Sequence, residues 1–73
     1  MIGHEEFNVV YTKDYPSLGI HFEVIYRHSG YDVAVYRDAH IYDFATVGAD
    51  TMQEAQWAID NYADKVREEE GLL

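Results

Sequence analysis

The chain contains no cysteine. That excludes a disulfide framework, a thiolate nucleophile and any cysteine-based metal site. Basic residues are scarce: 5 Lys and Arg stand against 14 Asp and Glu, a formal net charge of −9 at pH 7. Gripping a phosphate backbone takes clustered Lys and Arg, so direct nucleic-acid binding is not expected. Docking on an anionic membrane is disfavoured for the same reason. No stretch approaches the ~18 apolar residues of a membrane span. The opening Met1-Ile-Gly-His-Glu-Glu6 lacks the basic segment and apolar run of a signal peptide, so the expected address is cytoplasmic. The G-x-S-x-G, H-E-x-x-H and phosphate-binding glycine-loop patterns are missing as well.

What is present is an apolar, aromatic-rich chain of 73 residues, 48% hydrophobic and 15% aromatic. That is too apolar for disorder and long enough for one domain, residues 1–73, with 1–6 expected as a flexible tail. A core in a chain below ~80 residues rarely supplies more than about 3–5 kcal/mol without staples. Self-association or a partner is a natural supplement.

Phe7 to Thr12 alternates with period two and reads as a strand. Lys13 to Gly19, with Pro16, Ser17 and Gly19, reads as a loop. Ile20 to Arg27 alternates again, placing Ile20, Phe22, Val24 and Tyr26 on one face and His21, Glu23, Ile25 and Arg27 on the other. A turn at Ser29-Gly30 would set Tyr26 opposite Val33, Val24 opposite Val35 and Arg27 opposite Asp32. A second turn at Asp38-Ala39 would set Val35 opposite Tyr42 and Val33 opposite Phe44, continuing the apolar face. After Gly48 the period changes. Thr51-Met-Gln-Glu54 fits a capping box, with Asp50 as the other candidate cap. Met52, Ala55, Ile59, Tyr62 and Val66 then form one helical stripe, ended by Gly71. The expected fold is α+β: an antiparallel three- to four-stranded sheet with one C-terminal helix packed on one face, in the order β-β-β-β-α. The alternation leaves open where the first strand pairs.

His4, His21, His28 and His40, with Glu23 or Asp38, raise the question of a metal or a metal-dependent enzyme built on His21 and Glu23. No H-x-x-x-H or H-x-H spacing supports it, and solvated histidines are expected instead, with no metal or cofactor. One helix on a small sheet offers little cleft to desolvate a catalytic carboxylate, so an enzyme is not expected.

The helix face opposite the stripe is more specific. Trp57 lies at its centre, surrounded by Gln53, Asp60, Asn61, Asp64 and Glu68. Asp60, Asp64 and Glu68 follow an i, i+4, i+8 row that rises ~6 Å per step. Like charges so placed are mildly unfavourable in a helix, and an exposed Trp in such a row has no folding rationale. An aromatic anchor ringed by carboxylates suits a basic protein or nucleoprotein partner. The alternative is an ordinary solvated face, its Trp packed on a terminus, the Pro16 loop or a second copy. Behind the sheet, Ile25, Tyr36, Ile41 and Ala34 gather within a rim of Glu23, Asp43, Arg27 and Asp32. An apolar centre with a charged rim is an interface layout, and Ile25, Tyr36 and Ile41 are the candidates for self-association. On that alternative the chain is a structural homodimer or accessory subunit. Near the C-terminus Arg67 has Asp64 and Glu70 in reach.

The segments Tyr31-Asp-Val-Ala-Val-Tyr-Arg-Asp38, Tyr42-Asp-Phe-Ala-Thr46, Thr51-Met-Gln-Glu-Ala55 and Ala58-Ile-Asp-Asn-Tyr62 together resemble small acidic β-hairpin-plus-helix proteins of phages and mobile elements. Some of these are anti-CRISPR or anti-restriction proteins, and several act as DNA mimics. The resemblance covers about residues 20–66 and is one of layout and composition, without a residue-by-residue motif. It implies a non-enzymatic inhibitor in the host cytoplasm that fills the nucleic-acid channel of a defence complex with carboxylates. Asp60, Asp64 and Glu68 would then stand in for phosphates, with Trp57 and Asn61 beside them.

Overall fold

The computed structural model describes residues 8–37 and 40–71, with His40 described in its backbone alone. The tail at 1–6, with His4, lies outside the described residues, as do Phe7 and the Asp38-Ala39 turn. Among the described residues four strands, β1 (Asn8–Tyr15), β2 (Ile20–Arg27), β3 (Gly30–Arg37) and β4 (His40–Ala49), precede one α-helix, α1 (Met52–Glu69), and a single 3-10 turn, Pro16–Leu18, joins β1 to β2. The strands form an antiparallel sheet of order β1-β2-β3-β4, so the first strand pairs beside the second. This is the expected β-β-β-β-α fold. The helix is not long and apolar enough to cross a membrane.

The core lies between the sheet and α1. Ile20, Phe22, Val24, Val33 and Val35 meet Ala55, Ile59, Ala63 and Val66 there, with Tyr11, Tyr15, Tyr31, Met52 and Tyr62 packed around them. Phe22 is fully buried at its centre, in edge-to-face contact with Tyr15 and Tyr62 at 5.6 and 5.8 Å. The helix begins at the expected capping residues, with the reciprocal bond displaced by one residue to the amide before the cap. The Thr51 hydroxyl accepts from the Glu54 amide at 3.1 Å, and the Glu54 carboxylate accepts from the Asp50 amide at 2.9 Å. Thr51, not Asp50, is the cap. Gly71, at φ +73, follows the last turn and donates to the Glu68 carbonyl.

Several details depart from the alternation. β1 runs on to Tyr15, so Lys13, Asp14 and Tyr15 are strand rather than loop. The hairpin turn is His28-Ser29, both at positive φ (54 and 64), one residue earlier than Ser29-Gly30. Its pairing sets Tyr26 opposite Tyr31, Val24 opposite Val33, Ile25 opposite Asp32 and Arg27 opposite Gly30. This is a shift of two, which leaves every side chain on its expected face. Gly30 sits at a close approach of strands: a Cβ there would stand 3.1 Å from the Ala49 carbonyl oxygen, which would have to give by a few tenths of an ångström.

The larger change is in β4. Tyr36–Ile41 and Arg37–His40 pair as a two-residue connection requires, but three register irregularities follow. Val35 therefore meets Asp43 rather than Tyr42, Val33 meets Thr46, and Phe44 pairs with Ala34. Phe44 thus joins the face away from the helix, and Tyr42 stays exposed with the Arg37 guanidinium 5.0 Å from its ring. A further irregularity between Val9 and Tyr11 turns Val9 away from the core that Tyr11 packs against.

Candidate functional site

The exposed face of α1 follows from its buried one. With Ala55, Ile59, Ala63 and Val66 against the sheet, 100° per residue carries Trp57 to the far side, where it is 56% exposed. Gln53, Asp60, Asn61, Asp64 and Glu68 are exposed around it. The structure therefore brings the predicted residues together on one surface. Two of the three acids are engaged within the chain: Asp60 accepts from the Tyr15 hydroxyl at 3.3 Å, and Asp64 from Arg67 at 3.1 Å. Arg67 does not reach Glu70, which pairs instead with Arg37 at 3.5 Å. The Tyr15 ring carries Lys13 and Arg67, each 5.4 Å from its centroid. The acidic row thus has a cationic border on its β1 side.

The back of the sheet is a second surface. Ile25 and Ala34 are buried, 5% and 0% exposed, yet lie outside the core cluster beneath the helix. They are covered by their own neighbours on the open face. Val9 pairs with Ile25, Phe44 with Ala34, and Ile41 with Tyr36, giving an oblique apolar row across all four strands. Ile25 is thus a buried base of the patch, and Ile41 and Phe44 are its exposed crest. Val9 and Phe44 were hidden from the alternation because irregularities in their strands reverse their parity. Asp43 does not belong to this rim: it faces α1 and accepts from the Tyr62 hydroxyl at 3.4 Å. Tyr11, Tyr15 and Tyr31 pack on the core, leaving Tyr36 on the open face.

Charges at the two ends of the row are closed among themselves. At one end the His21 ring lies between two carboxylates, Nδ1 bonded to Asp14 and Nε2 3.1 Å from Glu23. The bond to Asp14, chiefly, holds the His21 pKa above the usual histidine range, with burial opposing it and Glu23 assisting. Burial, then the Glu23 carboxylate, raises the neighbouring Tyr36 hydroxyl above its ordinary range. At the other end the buried Asp32 accepts from Arg27 Nε at 2.6 Å and from the Gly48 amide at 2.7 Å. Gly48 sits at φ +82, so this carboxylate pins the irregular end of β4.

Both nitrogens of His21 are committed to carboxylates, and among the described residues no group of three or more His, Asp or Glu is placed to hold a metal ion. His28 lies in the hairpin turn, apart from His21. Asp38 and the side chains of His4 and His40 lie outside the described residues. Shallow depressions break the surface, and the one between β4 and α1 encloses about 240 Å³ among Arg37, Tyr42, Asp43, Tyr62 and Lys65. Its cations and anions are interspersed rather than convergent. Comparison with protein-family models, curated proteins and solved structures finds no match.

Proposed function

We propose that this chain is a non-enzymatic, acidic protein-binding module that engages a basic partner through the exposed face of α1. Its most concrete form is a phage-type inhibitor that occupies a nucleic-acid-binding surface of a host defence complex, anti-CRISPR-like, as a DNA mimic. One observation carries the reading: Trp57, the chain's single tryptophan, stands 56% exposed with Asp60, Asn61, Asp64 and Glu68 exposed beside it. Burying an indole is among the strongest contributions to folding, so leaving it in water on a helix already well packed has no benefit to the fold. Tryptophan is also the residue most enriched among interface anchors. The carboxylates supply what a basic groove selects, and the deficit of Lys and Arg removes competition with the nucleic acid's own binding mode.

The test is capture from bacterial lysate at low salt, eluted along a salt gradient. The expected result is a basic, nucleic-acid-handling complex that releases as salt screens the carboxylates. Trp57→Ala should fail to retain it, and neutralising Asp60, Asp64 and Glu68 together should weaken it by about tenfold or more while flattening the salt dependence. Unchanged affinity after that triple neutralisation would overturn the proposal.

A further inference from the structure

We infer that the back of the sheet is an interface for a second copy of this chain, packed face to face across a two-fold axis with both helices outward. This surface is separate from the exposed face of α1 and does not depend on the function assigned there.

Three observations converge on this occupant. The first is the apolar row itself. Val9, Phe44 and Ile41 are 42%, 40% and 55% exposed on a face whose base, Ile25 and Ala34, is already dry. Such a row, running obliquely across four strands, presents ridges that a second sheet can interleave at the usual ~10 Å separation. A row of this kind is self-complementary under two-fold symmetry, which is what an isologous contact requires.

The second is charge. Two chains of net charge −9 repel wherever open carboxylates meet. From Met52 to Glu70 six acids accompany only two bases, so the helix face is closed to a second copy. On the sheet's back the carboxylates are fewer and each has a partner in the chain: Asp14 and Glu23 share the His21 ring, and Asp32 pairs with Arg27. Of the two broad faces this is the one on which like chains oppose fewer carboxylates, Asp14, Glu23 and Asp32 against the six acids of the helix segment. A strongly basic partner would find little there to select, which argues for the same chain rather than for the partner of the helix face.

The third is area. Four strands at ~4.8 Å spacing and eight residues at ~3.3 Å give a footprint of about 19 by 26 Å, close to 500 Å² per copy. A pair would remove about 1,000 Å² from water, the lower limit for a specific interface. Covering this face would also turn a two-layer domain into a four-layer one with a second apolar seam.

Sedimentation velocity on the full chain, over about a hundredfold range of concentration at low and high salt, tests the inference. The expected result is a monomer–dimer equilibrium that holds or tightens as salt rises, because screening relieves the net repulsion. Ile41→Glu should raise the dissociation constant about tenfold or more while the circular dichroism spectrum stays unchanged, since this side chain is already mostly in water. Ile41→Ser is the milder companion if the charged variant fails to fold, and it should weaken the dimer in the same direction. Trp57→Glu should leave the dimer intact, which separates this surface from the helix face. A monomer at every concentration, a dimer that survives Ile41→Glu, or one lost on Trp57→Glu would each overturn the inference.

Discussion

The imidazole of His21 sits between Asp14 and Glu23, and the charged ring can donate to both at once. Its pKa is raised in the folded chain, so the contact stabilises the fold below the unfolded histidine pKa of about 6.5 and is lost as pH climbs through the folded value. The stability difference between the native chain and His21→Gln should therefore be largest at mildly acid pH and shrink toward zero in mild alkali. Urea titrations at stepped pH would show it, and a difference that grows with pH would contradict it. Asp32 works differently. It is a buried carboxylate whose two oxygens are spent on Arg27 and on the backbone of a strand irregularity, so its part is to fix a conformation.

At the scale of elements, the β2–β3 hairpin closes through His28 and Ser29, both in the left-handed region that side chains other than Gly and Asn adopt at a cost. An Asn-Gly pair suits that turn better. The double substitution His28→Asn with Ser29→Gly should stabilise the chain by about 1 kcal/mol, read as a shift in the urea midpoint with an unchanged slope. The same hairpin shows what alternation can reveal. It assigns Ile20, Phe22, Val24 and Tyr26 to one face with Val33 and Val35, and the structure agrees. It cannot register a shift of two residues, because side-chain direction repeats every two; hence the turn at Ser29-Gly30, where Gly30 serves close strand approach instead. Nor does it reveal inserted residues. The first of three irregularities in β4, between Ile41 and Asp43, moves Phe44 to the opposite face, and only Gly48 among the strand's residues hints at any of them, near its far end. The capping box at Thr51 and Glu54 was legible because its chemistry is local.

The whole molecule is a thin slab, 42 by 26 by 15 Å, with a radius of gyration of 12.7 Å against about 11 Å for a compact chain of this length. Its charge is spread over that large surface and is densest on α1 and its last turn. Raising NaCl from about 0.01 M to about 1 M shortens the screening length from ~30 to ~3 Å, so the melting temperature should rise with salt. The rise should be smaller when Asp60, Asp64 and Glu68 are neutralised; an equal rise would place the repulsion elsewhere. The helix surface could be read from the sequence because 100° per residue fixes which side chains face outward, Trp57 among them. Its in-chain partners could not, because Tyr15 reaches Asp60 across 45 positions of chain. The two margins of the sheet are also unlike. β1 holds a regular ladder with β2 from Tyr11 to Tyr15, whereas β4 is interrupted three times. Fibrous growth by strand addition needs a receptive margin on both sides, one to accept and one to offer. A meander that ends in so broken a strand is terminated by its own last member: it could be extended once, along β1, but not propagated into a filament.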